Sequence, residues 1–84
     1  MYSEKKHNIA FGMVLREERK QRHFTQETFG FASGLDRTYV SLLELGSSSP
    51  TLDTIVDVCD TLEMPLADFA ARIDEKIKQL SKEK

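Results

Sequence analysis

A chain of 84 residues makes one small domain, and 39% hydrophobic with 31% charged residues is the balance of a soluble globular protein. No apolar run nears the ~18 residues of a membrane span, and the opening MYSEKKHNIAFG has no signal-peptide core, so a cytoplasmic chain with no membrane partner is expected. One cysteine, Cys59, excludes an internal disulfide, and with only His7 and His23 beside it there is no zinc-ligand spacing or nucleophile–base constellation, so no metal, no cofactor and no enzyme is expected.

The net charge of −2 is unevenly spread: residues 1–23 carry +3, 24–46 carry −2, 47–71 carry −5 and 72–84 carry +2. A basic surface for non-specific nucleic-acid binding is therefore missing, although specific binding, which draws on base contacts, is not excluded.

The apolar spacing is helical throughout, and the breakers divide the chain into five short helices. Helix 1 is predicted from Asn8, a good N-cap, to about Arg22, with Phe11, Val14 and Leu15 on its inner face. Thr25 caps helix 2, Glu27 suits its positive end, and Ser33–Gly34 stops it. Asp36 caps helix 3, whose inner face reads Val40, Leu43 and Glu44 before Gly46 ends it. Ser47–Pro50 is a loop, and Thr51 opens helix 4 with Leu52, Ile55, Val58 or Cys59, and Leu62 as its buried stripe. Pro65 sits in the first turn of helix 5, over which Leu66, Phe69, Ile73, Ile77 and Leu80 repeat at three and four. The chain thus reads as one all-α domain over 1–84, with its core at 8–70 and a C-terminal helix at 65–80.

Two readings of that last stripe stay open: packing on the monomer's own core, or a two-fold helix–helix interface. A chain this short buries little surface alone, which favours a homodimer anchored by Phe69, Ile73 and Ile77. Arg19 and Glu44 fall on inward faces where an apolar residue is expected. A lone buried charge costs several kcal/mol, so each is the natural partner of the other in an Arg–carboxylate fork, unless both reach water at the rim.

Residues 25–46 carry the pattern of two helices crossing through a tight turn. Phe29, Leu35, Val40 and Leu43 supply the shared core, Gly30 allows close approach, and Gly34 turns the chain. With the flanking FGMVLREER (11–19), FTQETFG (24–30), SGLDRTYVSLLELG (33–46), SPTLDTI (49–55) and LEMPLADF (62–69), the chain resembles the phage-repressor (Cro/repressor-type, XRE) helix-turn-helix family over residues 9–69. It is most similar to compact single-domain regulators such as restriction–modification controller proteins. The resemblance implies a five-helix repressor-like DNA-binding domain in which Arg19 and Glu44 form a buried ion pair.

It further implies that Gln26 binds a phosphate of double-stranded DNA and braces helix 3, with Thr25 as cap and phosphate contact. Arg37 and Thr38 would reach base edges in the major groove. Tyr39 and Ser41 would contact sugar-phosphate or bases, and Ser47 the backbone. The family's usual polar residue before the helix-ending glycine is Leu45 here, the following SSSP loop has no base, Gly30 stands for the usual Ala and His23 for a frequent Gly. Leu42 and Leu45 suit either thymine methyls or a protein-binding face. The implied function is a transcriptional regulator, homodimeric on a partly palindromic operator. It would repress by covering a promoter or activate by touching RNA polymerase. The alternative is a non-enzymatic interaction module, antitoxin-like or accessory, on the same fold.

Overall fold

The computed structural model describes residues 5–82. Five helices follow in order: α1 Lys6–Gln21, α2 Gln26–Ser33, α3 Arg37–Leu45, α4 Leu52–Leu62 and α5 Leu66–Lys82. α1 is the central strut, packed most extensively against α5 on one side and α3 on the other. The core draws Phe11, Val14 and Leu15 from α1, Phe29 from α2, Val40 and Leu43 from α3, Val58, Cys59 and Leu62 from α4, and Phe69 from α5. Edge-to-face ring pairs, Phe11–Phe69 at 5.6 Å and Phe24–Phe29 at 5.4 Å, join distant and local parts of that core.

Local chemistry accounts for most helix ends. Thr25 and Thr28 form a reciprocal capping box, the Asp36 carboxylate accepts from the Thr38 amide, and the Thr51 hydroxyl accepts from the Thr54 amide. Gly34 and Gly46 end α2 and α3 at φ 78° and 79°, the left-handed region that glycine enters without strain.

Several expectations change in three dimensions. α1 starts two residues before Asn8, with Lys5 at its N-cap. Asn8 is instead buried, its side-chain oxygen accepting from the Ser49 hydroxyl at 3.3 Å, so it ties α1 to the loop after α3. Both Val58 and Cys59 are buried, and burial raises the Cys59 thiol pKa, with Asp60 adding to it, as suits a side chain that only packs. Leu52, expected in the buried stripe, is 67% exposed, and Thr54 takes the inward place. At about 100° per residue Leu52 lies roughly a third of a turn from the line of Thr54, Val58 and Leu62. Phe69, expected to anchor a dimer, is fully buried in the monomer against Phe11. Ile73 packs on the same core, and Ile77 is half-buried.

Apart from the exposed Leu66, the stripe of α5 therefore lies on the chain's own α1, and charges fasten it there. Glu18, with its side chain 8% exposed, pairs with Arg22 and Arg72, while Glu17 pairs with Arg72 and Lys76. Burial pushes the Glu18 carboxyl upward, but hydrogen bonds and charge from Arg22 and Arg72 outweigh it and hold the pKa below its ordinary value. The Lys76 hydrogen bond, helped by Arg72, lowers the Glu17 pKa against a smaller desolvation effect.

Both carboxyls titrate lower folded than unfolded, so their contribution is complete above the unfolded value of about 4.3 and disappears as pH falls through the folded values. The urea midpoint is expected to drop between about pH 5 and pH 3. Glu18→Gln should flatten that drop and cost about 1–2 kcal/mol at neutral pH, less than a fully enclosed pair because both arginines are about one-third exposed. A pH-independent midpoint would show that the α1–α5 network contributes nothing.

Candidate nucleic-acid interface

α2, the turn and α3 form a rigid corner. A Cβ on Gly30 would lie 2.6 Å from the Leu35 carbonyl oxygen, so the turn closes directly over α2 at that position. The Leu35 amide donates to the Gly30 carbonyl at 2.9 Å, which fixes the crossing.

From behind, α3 is held by charge. Arg19 Nε donates to Glu44 Oε2 at 2.6 Å and Nη2 to Oε1 at 3.0 Å, with side chains only 7% and 3% exposed. The third direction of the guanidinium is used too, Nη1 donating to the Phe24 carbonyl at 2.8 Å. Gln26 Nε2 donates to Glu44 Oε1 at 3.1 Å, so the first residue of α2 is tied to the last turn of α3. The half-buried Gln26 side chain thus acts within the protein as a brace. The fork satisfies both charges where water is excluded, the condition under which a buried pair is tolerated.

The opposite side of α3 faces outward. Arg37 and Thr38 are exposed in its first turn, Ser41 is half-exposed one turn on, and Leu42 and Leu45 share that side. Tyr39 packs partly on the core and so stands at the edge of this surface. Thr25 is exposed but its hydroxyl is engaged with Thr28. Ser47 is exposed just beyond α3, its amide donating to the Leu42 carbonyl at 3.0 Å. Arg37, Thr38, Ser41 and the start of α2 are therefore brought to one side of the molecule.

Between them and the end of α1 lies an open cleft of about 590 Å³ whose walls include Lys20, His23, Thr25, Gln26 and Arg37. The sequence does not mark Lys20 and His23 as interface residues. His23 reaches the cleft because it ends α1 in the left-handed conformation, at φ 64°, with its amide on the Lys20 carbonyl. The only sequence signal was a histidine at a position often taken by glycine.

Among the described residues no His, Cys, Asp and Glu group could hold a metal ion, and no helix is long and apolar enough to cross a membrane.

The comparisons agree with this geometry. A helix-turn-helix family model matches residues 15–69. The restriction–modification controller protein C.AhdI from Aeromonas hydrophila is 35% identical, with 74% of this chain and 94% of that one covered at a TM-score of 0.71. The controller protein C.Esp1396I, solved as a tetramer with its natural 35 base-pair operator, is 27% identical over 84% of this chain and 93% of that one, TM-score 0.78. The clp gene regulator ClgR from C. glutamicum is 26% identical over 82% and 90%, TM-score 0.77. No curated protein sequence matches significantly. These structures are regulators rather than catalysts, and their fold is the five-helix arrangement seen here. From the corner of α2 and α3, its buried fork and these matches together, the chain belongs to the Cro/repressor-type helix-turn-helix family of DNA-binding regulators and resembles restriction–modification controller proteins.

Proposed function

We propose that the chain is a sequence-specific transcriptional regulator that binds a partly palindromic operator as a homodimer, with α3 in the major groove. The observation that carries this reading is the two-sided build of α3. Its inner side is locked through Glu44 to Arg19 and Gln26, while Arg37, Thr38 and Ser41 face outward from its first turns. Arg37 can fork onto guanine O6 and N7, and Thr38 offers a hydroxyl and a methyl to an adjacent pair. The cleft between α1 and α2 places Lys20 and His23 beside the positive end of α2, a seat for a backbone phosphate next to the groove. Thr25, Tyr39 and Ser47 border the same surface. Binding of the related controller C.Esp1396I to its operator as a tetramer supports the reading.

The dimer surface is best assigned to the apolar side chains of α4 and α5 that the monomer leaves outside. Leu52 and Val56 lie one turn apart on α4, and Leu66 opens α5; they are 67%, 38% and 43% exposed. Ile73 and Ile77 would contribute only through their exposed edges. Such a dimer presents two α3 helices to successive major grooves ~34 Å apart, and at a promoter its protein partner would be RNA polymerase.

Selection from a random duplex pool, read by fluorescence anisotropy, tests the proposal. A two-fold symmetric site is expected, and Arg37→Ala should lose about 1–3 kcal/mol on it while non-specific binding changes little. Failure to enrich any duplex would overturn the regulator reading in favour of an interaction module.

A further inference from the structure

α3 is nine residues long, and at about 100° per residue its positions separate cleanly into two sides. Val40 and Leu43 are fully buried, so Thr38 and Leu45 point directly away from the core, with Arg37 and Ser41 to one side of them and Leu42 to the other. Leu42 is 38% exposed and Leu45 65% exposed. Two of the five outward side chains of this helix are thus apolar, on the surface that holds its base-reading candidates. A leucine offers no donor or acceptor to a base edge. The apolar feature that base edges present in the major groove is the methyl group on pyrimidine C5.

Resting on the assignment of α3 to the major groove, we infer that Leu42, with the methyl of Thr38 one turn before it, forms a seat for a pyrimidine C5-methyl group in each half-site. Leu42 is the reader rather than Leu45 because of its place along the helix. It lies in the first two turns with Arg37, Thr38 and Ser41, where recognition helices meet base edges. Leu45 closes the last turn, next to Gly46. The seat is pre-formed: Asp36 pins the Thr38 amide at 2.9 Å, and the Leu42 carbonyl is held by the Ser47 amide at 3.0 Å. The leucine also excludes. An unmethylated cytosine or a guanine set against it would lose water from its exocyclic group and gain no hydrogen bond. Thymine and 5-methylcytosine carry the same methyl at the same place, so the seat responds to either.

The test uses the full chain and the operator recovered by selection, with each thymine replaced singly by uracil, a change that removes one methyl and nothing else. At one position per half-site, wild-type binding should weaken about fourfold, the ratio for one buried methyl. That uracil penalty should vanish in Leu42→Ala and persist in Leu45→Ala. Both variants alter exposed side chains, and circular dichroism confirms their folding. Placing cytosine and then 5-methylcytosine at the same position separates the two sources: recovery with 5-methylcytosine shows a seat for the methyl itself, whereas recovery with thymine alone overturns the shared-methyl assignment. A duplex bound through Arg37 but indifferent to uracil at every position overturns this inference and leaves the regulator reading intact. A uracil penalty that survives Leu42→Ala overturns it as well. Absence of any selected duplex removes both.

Discussion

Glu44→Ala is expected to destabilise the protein by about 3–5 kcal/mol, a large share of the stability of a domain this small. The loss arises less from the attraction removed than from what is left behind. Arg19 would remain in place, 7% exposed on its side chain, with the Phe24 carbonyl as its remaining acceptor. Gln26 would lose its acceptor in the same step. The companion experiment is Arg19→Met with Glu44→Leu, which replaces both charges by apolar groups of roughly similar volume. That double variant should recover most of the stability, because desolvating two ions no longer opposes the packing.

DNA binding should behave differently from stability. In the double variant the last turn of α3 is still packed, but Gln26 no longer ties α2 to it, so affinity for the selected duplex should stay below wild type. Urea unfolding followed by anisotropy separates the two effects. A loss of only a few tenths of a kcal/mol in Glu44→Ala would mean that water replaces the carboxylate and that the fork is not a buried pair.

Gly12→Ala is the second large effect, and its sign makes it diagnostic. In an exposed helix interior this change stabilises by up to about 1 kcal/mol, since alanine is the better helix former. Here the added Cβ would lie 2.4 Å from the Leu43 carbonyl oxygen and 2.6 Å from that of Glu44. Both obstacles are backbone at the end of α3, so no flexible side chain can swing aside, and α1 and α3 must separate. A destabilisation of about 2–4 kcal/mol is expected, read as the shift in urea midpoint.

The same displacement would pull on Glu44, whose carboxylate reaches Arg19 only because the two helices lie this close. The duplex affinity of the folded fraction should therefore fall as well, because α3 carries Arg37 and Thr38. An unchanged or raised midpoint would show that the helices can part at no cost.

These two residues also mark the division between what the linear sequence determines and what it does not. Cap residues and glycines act within a turn of their own position, so Thr25, Asp36, Thr51, Gly34 and Gly46 were legible as helix ends. Charged residues on apolar stripes were legible too: periodicity placed Arg19 and Glu44 inward, and burial of charge requires a partner. The motif resemblance then pointed to α3, where Arg37, Thr38 and Ser41 lie together on one side and Tyr39 stands at its edge.

What stayed hidden depends on contacts between segments far apart in the chain. Gly12 gives no local signal, since an interior helical glycine is ordinary until a second backbone arrives beside it. Asn8 looked like a cap because its chemistry suits one, yet the loop at Ser49 claims its side chain. Leu52 and Phe69 each satisfy a helical repeat, but a repeat defines a stripe only to within a wide arc. The neighbouring helices decide which part of that arc is covered. Phe69 went inward because Phe11 stands opposite it, and Leu52 stayed out because Thr54 lies on the line that α4 presents to the core. Periodicity constrains direction around one helix axis, whereas burial is a property of pairs of helices. The sequence alone therefore determined the elements, most of their ends and the recognition motif. Only the tertiary structure decided which apolar residues remain free for DNA or for a second subunit.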